Sequence, residues 1–191
     1  MEFGSIIFWV IVIGLGLYIV ATYNALVRLK HNVSRAWSNI DVLLKQRHDE
    51  LPKLIETCKR YMEYEKDVLE RVTKARASVA EARMSGDIGA LGAAETEMRI
   101  GLGNLFAVAE NYPDLKSNET FQHLQGRISS LETEIASKRE FYNESVNVNN
   151  IRVEQFPDNI IARLFGFGLR ELLEFSEAEK ADVNVKELFN S

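Results

Sequence analysis

The chain has 191 residues, of which 46% are hydrophobic and 27% charged, and it carries a net charge of −5. That acidic balance argues against nucleic acid as a main partner, and the lone cysteine, Cys58, excludes an intramolecular disulfide framework. Only three prolines and eleven glycines are present, so long uninterrupted elements are expected, with no internal repeat or low-complexity tract.

The first element is a run from Phe3 to Thr22 without one charged side chain. About twenty helical residues rise about 30 Å, the hydrocarbon thickness of a bilayer. Its body is Ile6, Ile7, Phe8, Trp9, Val10, Ile11, Val12 and Ile13, continued by Leu15, Leu17, Tyr18, Ile19 and Val20. Residues 1–22 are read as a retained transmembrane anchor. A cleaved signal peptide would open on basic residues, where this chain has Met1-Glu2, and Ile19-Val20-Ala21 makes a poor cleavage site. Gly14 and Gly16 are not four apart, so the small-xxx-small pairing pattern is missing. Glu2 precedes the span, whereas Arg28, Lys30 and Arg35 follow it. The positive-inside bias therefore predicts a single pass with the N-terminus outside and the C-terminal domain cytoplasmic. These cations are too few to form an anionic-lipid patch.

Residues 23–178 read as one helical domain. Apolar positions at Leu26, Leu29, Val33, Ala36, Ile40 and Leu43 lead to Arg47 in 3-4 spacing, and the seam resumes as Leu51, Leu54, Cys58, Tyr61, Glu65, Val68, Val72, Ala75 and Val79. The spacing predicts one long helix over 23–84. The extra step of four from Arg47 to Leu51 is a stutter, and Pro52 lies beside it, so a kink or short break is expected at Glu50 to Lys53. Met84 to Gly92 reads as a loop. A second helix is expected over 93–111, with Met98, Leu102, Leu105, Phe106 and Ala109 on one face, ending at Tyr112-Pro113-Asp114. Asn118 is a good N-cap for a third helix over 118–156, whose seam runs Phe121, Leu124, Ile128, Leu131, Ile135, Tyr142, Val146, Asn149, Val153, Phe156. A fourth is expected over 158–175, with Gly166 and Gly168 as weak points. The tail, 179–191, has only Val183, Val185, Leu188 and Phe189 with which to dock. The class is all-α: a single N-terminal transmembrane helix followed by an elongated antiparallel bundle with coiled-coil-type helices.

No ready-made catalytic device is visible. The three histidines, His31, His48 and His123, make neither His-Glu-x-x-His nor Glu-x-x-His, and no phosphate-binding glycine loop or nucleophile elbow occurs. The expectation is a protein that is not an enzyme and takes no cofactor or metal. One polar cluster stands out: Asp41, Arg47, His48 and Asp49, with Arg47 on the apolar seam. It reads first as an internal ion pair that fixes helix register, and second as a ligand or partner pocket beside Pro52. Cys58 and Trp37 read as core, and Tyr142, Asn143 and Asn149 as inter-helix hydrogen-bonding groups.

Several runs taken together resemble the LemA family. They are Tyr23-Asn24-Ala25-Leu26-Val27, Ala36-Trp37-Ser38-Asn39-Ile40-Asp41-Val42, and Arg47-His48-Asp49 leading to Leu51-Pro52. Further on come Tyr112-Pro113-Asp114-Leu115-Lys116, Phe141-Tyr142-Asn143 with Val146 and Asn149, and Phe156-Pro157 followed by Leu164-Phe165-Gly166-Phe167. The resemblance covers nearly the whole chain in order. It departs in the tail, where Ala181 to Val185 lacks the family's usual proline. What it implies is a bacterial inner-membrane protein with a short outer N-terminus, an inner helical domain and no established enzymatic activity. Relatives are associated with magnetosome formation, and others occur alongside an HtpX-type membrane protease. The expected function is that of an adaptor or scaffold. Its partners would be the bilayer, other proteins such as such a protease, or further copies of itself as a homo-oligomer. The alternatives are a membrane-shaping, lipid-organising protein and, behind it, a metal-binding bundle enzyme using the Asp41–Asp49 cluster.

Overall fold

The computed structural model describes residues 3–174, and these form helices with no strand. The helices are α1 (Phe3–Lys59), α2 (Lys66–Ser85), α3 (Ile88–Ala109), α4 (Pro113–Lys116), α5 (Glu119–Glu154) and α6 (Asp158–Leu164). The expected tail contacts of Val183, Val185, Leu188 and Phe189 lie outside the described residues. Two compact units divide the described chain. One contains residues up to Ile40 with Lys138–Leu172, and the other contains Asp41–Ser137 with Leu173 and Glu174.

The second unit is an up-down-up-down bundle of four helical segments. Here the structure corrects the expected rod over 23–84. α1 runs unbroken through Pro52 and ends at Lys59. The chain then turns at 60–65, and α2 comes back against α1. Arg76 meets His48 while Arg83 meets Asp41, so the two helices run antiparallel. The seam residues Leu51, Leu54 and Cys58 are buried in the same unit as Leu69, Val72, Ala75 and Val79. The reversal moves Met62 into the core, where it is 1% exposed, in place of the expected Tyr61 and Glu65.

α2 ends on Gly86, whose φ of +71° suits a residue without Cβ. The expected loop from Met84 to Gly92 shrinks to a tight turn, because the Asp87 side chain accepts from the Ala90 backbone N–H at 2.8 Å and caps α3 five residues earlier than expected. α3 then packs antiparallel on α2, and Met98, Leu102, Leu105 and Ala109 of the expected face are buried, while Phe106 is half-buried. Asn118 caps α5 as its sequence predicts, accepting from the Phe121 N–H at 3.0 Å. The seam from Phe121 to Asn149 is buried, whereas Val153 is half-buried and Phe156 is 76% exposed.

The first unit holds the start of α1, the end of α5, and α6. Leu26 packs on Ile161 and Ala162, with Ile19, Val153 and Phe167 around them. The fourth helix stops at Leu164, eleven residues short of the expected 175, for a local reason. Gly166 has φ +72°, the Phe167 N–H reaches back to the Ala162 carbonyl (2.9 Å) and the Gly166 N–H to Arg163 (3.3 Å). This is a Schellman stop, completed by the packing of Phe167 on Ala162. Beyond it the chain is not helical and is held to α5 by side chains. Asn150 both donates to the Arg170 carbonyl (2.9 Å) and accepts from its N–H (2.8 Å), and the Tyr142 hydroxyl donates to the Glu171 carbonyl (3.0 Å).

Candidate functional site

Two sites emerge from these elements: an exposed apolar helix and a buried charge cluster. From Phe3 to Leu17 no α1 side chain is covered. The most apolar 18-residue window has a mean hydropathy of 2.5 and none of it is buried. A core helix of a soluble protein would be mostly covered, so an uncovered apolar helix of this length fits a bilayer. Contact with the rest of the unit begins at Tyr18 and Ile19. Tyr18 donates to the Asp158 carboxylate, Thr22 does so at 3.4 Å, and Arg152 pairs with its other oxygen. Asp158 is thereby buried to 3% exposure at the first turn of α6, and its charge is matched. From the sequence, Asp158 is marked only as the first residue of the expected fourth helix. Nothing in the pattern announces that Tyr18 and Thr22, 140 and 136 positions away, reach it.

In the second unit Arg47 is fully buried at 1% exposure, and α3 and α5 each send it a carboxylate. Its Nη1 donates to Glu95 Oε2 at 2.9 Å and to Glu132 Oε1 at 2.6 Å, while Nη2 donates to the other Glu95 oxygen. One guanidinium thus ties α1, α3 and α5 together, and the fork of Glu95 on Arg47 fixes their register. Burial opposes the Arg47 charge, but Glu95 and Glu132 outweigh it and raise its pKa, so it stays ionised. Burial also pushes the Glu95 carboxyl up, against the pull of Arg47. Glu95 was not singled out in the sequence. Its mark there is a carboxylate one helical turn before Met98 on an apolar face.

The other cluster members part company. Asp41 approaches Arg83 at 3.6 Å near the surface, and Asp49 is exposed. His48 is half-buried against α2. Arg76 Nη2 lies 2.8 Å from its Nε2, and Arg76 Nε donates to its carbonyl oxygen at 3.1 Å. A guanidinium cannot accept, so this contact requires a lone pair on Nε2, which the neutral ring with its proton on Nδ1 supplies. Burial and the Arg76 charge both lower its pKa. Asp41, His48 and Asp49 therefore do not converge with Arg47 on one pocket. Among the described residues no three His, Cys, Asp or Glu side chains gather as metal ligands. Cys58 is buried, which pushes its thiol up to about 12. Trp37 is half-buried, its ring 5.7 Å from that of Tyr142. An open groove of about 990 Å³ lies at the turn that joins α1 to α2, bordered by Met62, Glu63, Leu69 and Tyr64, which is 91% exposed. Sequence reading had no signal for it, because it exists only where the chain reverses.

The profile of the LemA family matches residues 36–186, most of the chain. The chain belongs to the LemA family. The matched stretch begins within α1, after its exposed apolar part, and includes Arg47, Glu95, Glu132 and Asp158. Protein LemA of Metamycoplasma hominis is 27% identical over 192 residues, covering 99% of this chain and 86% of its own. The magnetosome protein MamQ 2 of Paramagnetospirillum magneticum is 25% identical over 190 residues, covering 87% and 70%. Magnetosome protein MamQ of Magnetospirillum gryphiswaldense is 24% identical over 192 residues, with the same coverage. This LemA-family chain shares with them nearly its whole length.

Proposed function

We propose that this LemA-family protein is a non-enzymatic adaptor or scaffold. α1 crosses the bacterial inner membrane once, with its N-terminus outside, and places the bundle on the cytoplasmic face for binding other proteins. The observation that carries this reading is the continuity of α1. Its first part is apolar and uncovered, and its last part is a core helix of the bundle, so whatever docks on the bundle is held at the membrane. The buried charges support it too. Arg47, Glu95 and Glu132 satisfy one another, which makes the cluster a helix tie. Arg28, Lys30 and Arg35 favour the cytoplasmic side. The tip at the α1–α2 turn, with exposed Tyr64 above its groove, is the partner-binding surface we favour.

Mild extraction from the native membrane, followed by intact-complex mass and identification of copurifying proteins, tests this. A defined complex with another membrane protein, for instance a membrane protease, that is lost in Tyr64→Ala would support the adaptor reading. A large homo-oligomer would favour a self-assembling scaffold. A monomer without partners would sink both. The names of the magnetosome relatives keep the lipid-organising alternative alive as a second reading. It predicts that the chain without residues 1–22 still binds anionic vesicles in a salt-sensitive way.

A further inference from the structure

α6 and the turn that precedes it leave large apolar side chains uncovered. Phe156 is 76% exposed, Ile160 60% and Leu164 75%, spaced four apart along the chain, with Phe165 beside them at 49%. In water such a row is unfavourable, and no part of the described chain covers it. Its position says what does. The apolar run starts after Glu2, and from Phe3 to Leu17 it rises only about 21 Å, short of the roughly 30 Å of a hydrocarbon core. To fill the core, the bilayer has to reach the level of Tyr18 to Thr22. That is the level of α6, because Tyr18 and Thr22 bond Asp158, and Ile19 packs with Ile161 and Ala162.

We infer that α6, together with Phe156 in the turn just ahead of it, is a membrane-interface segment that inserts Phe156, Ile160 and Leu164 into the edge of the same bilayer that α1 spans. The chemistry around it fits that depth. Asp158, the carboxylate of its first turn, is buried and partnered by Arg152, Tyr18 and Thr22, so no unpaired charge enters an apolar zone. Arg163, between Ile160 and Leu164, is exposed and can extend its guanidinium to headgroup phosphates. Tyr23, 38% exposed, stacks edge-on with Phe165 at 4.9 Å, an aromatic pair at the height where such rings favour the water–lipid boundary. The consequence is orientational. A helix spanning alone can swivel about its axis, whereas a second apolar contact beside it fixes which face of the first unit meets the membrane.

The inference rests on the anchor reading, and the experiment separates the two. The full chain is reconstituted in nanodiscs of phosphatidylethanolamine and phosphatidylglycerol, with single spin labels at Leu164→Cys, Ile160→Cys, Val12→Cys and Tyr64→Cys. Cys58 stays unlabelled because it is buried, with its thiol pushed up to about 12. Collisions with oxygen and with a water-soluble nickel chelate report depth. The expected result is loss of nickel collisions and gain of oxygen collisions at Leu164→Cys and Ile160→Cys, as at Val12→Cys, against the reverse at Tyr64→Cys. Aqueous labels at both α6 positions with a lipid-exposed Val12→Cys would overturn the inference and leave the anchor standing. Labels shielded from both collision partners would also overturn it, by showing another protein or a second copy on the row. An aqueous Val12→Cys would remove the anchor and the inference with it.

Discussion

Arg76 donates through Nε to the carbonyl oxygen of His48, 3.1 Å away, and that is the carbonyl which Pro52 leaves without an intrahelical donor. Residue 52 would ordinarily supply its N–H to the carbonyl four residues back, and proline has none. α2 fills the gap with an arginine. This explains how α1 continues as a helix through Pro52 without leaving an orphaned acceptor.

The pair should therefore be energetically coupled. Arg76→Ala is expected to destabilise the protein by about 1 kcal/mol or somewhat more, losing the bonds to both the carbonyl and the ring of His48. In a Pro52→Ala background, the restored N–H satisfies the carbonyl, and the same substitution should have a smaller effect. Denaturant unfolding of the full chain in detergent, run as a double-mutant cycle, should give a coupling of at least about 0.5 kcal/mol. Strict additivity would mean that Arg76 does not stand in for the missing N–H.

The same contact sets a pH dependence. Because Arg76 needs a lone pair on Nε2, protonation of His48 breaks the contact, and the folded pKa lies below the ordinary histidine value of 6.5. The unfolded chain then binds the proton more readily. The stabilisation is fully present above pH 6.5 and is lost as the pH falls from there towards the folded value. Unfolding midpoints at about pH 7.5 and about pH 5.5 should differ less in His48→Gln than in the unaltered chain. An unchanged difference would remove His48 from the account.

Arg47 should be the most sensitive polar position. Arg47→Met leaves Glu95 buried and unpaired, and a loss of about 3–5 kcal/mol is expected. Replacing both, Arg47→Met with Glu95→Met, should recover much of it, because a buried pair is often no better than apolar side chains of similar size. Thermal unfolding followed by circular dichroism would decide. A double variant as weak as the single one would mean that the charges hold the helices in a way packing cannot.

Two glycines of α3 should respond in opposite directions. Within a helix, glycine to alanine ordinarily stabilises by about 0.5–1 kcal/mol. At Gly103 nothing lies within 4 Å of the added Cβ, so Gly103→Ala should stabilise. At Gly92 the Cβ would collide with the carbonyl oxygen of Glu174, so Gly92→Ala should destabilise by about 1–3 kcal/mol and free the Leu173–Glu174 segment. Faster limited proteolysis near Leu173 in Gly92→Ala alone is the expected readout. Equal protection in both variants would contradict the close approach.

The sequence by itself determined what depends on periodicity and local chemistry. The uncovered apolar helix follows from hydrophobic density. The seam from Leu26 to Arg47, buried except for half-buried Leu29, and the buried one from Phe121 to Asn149 follow from 3-4 spacing, and the start of α5 follows from Asn118. Pro52 misled, since a proline marks a lost hydrogen bond but not the arginine, 24 positions on, that replaces it. The true turn, 60–65, contains neither glycine nor proline. A heptad pattern reads alike whether a helix runs on or folds back on itself, because both bury the same stripe. Only tertiary structure decided that reversal, matched Arg47 with Glu95 and Glu132, and brought Asp158 to Tyr18. These partners are 48, 85 and 140 residues apart. No local propensity encodes such pairs, since they form only when whole helices have packed in one register.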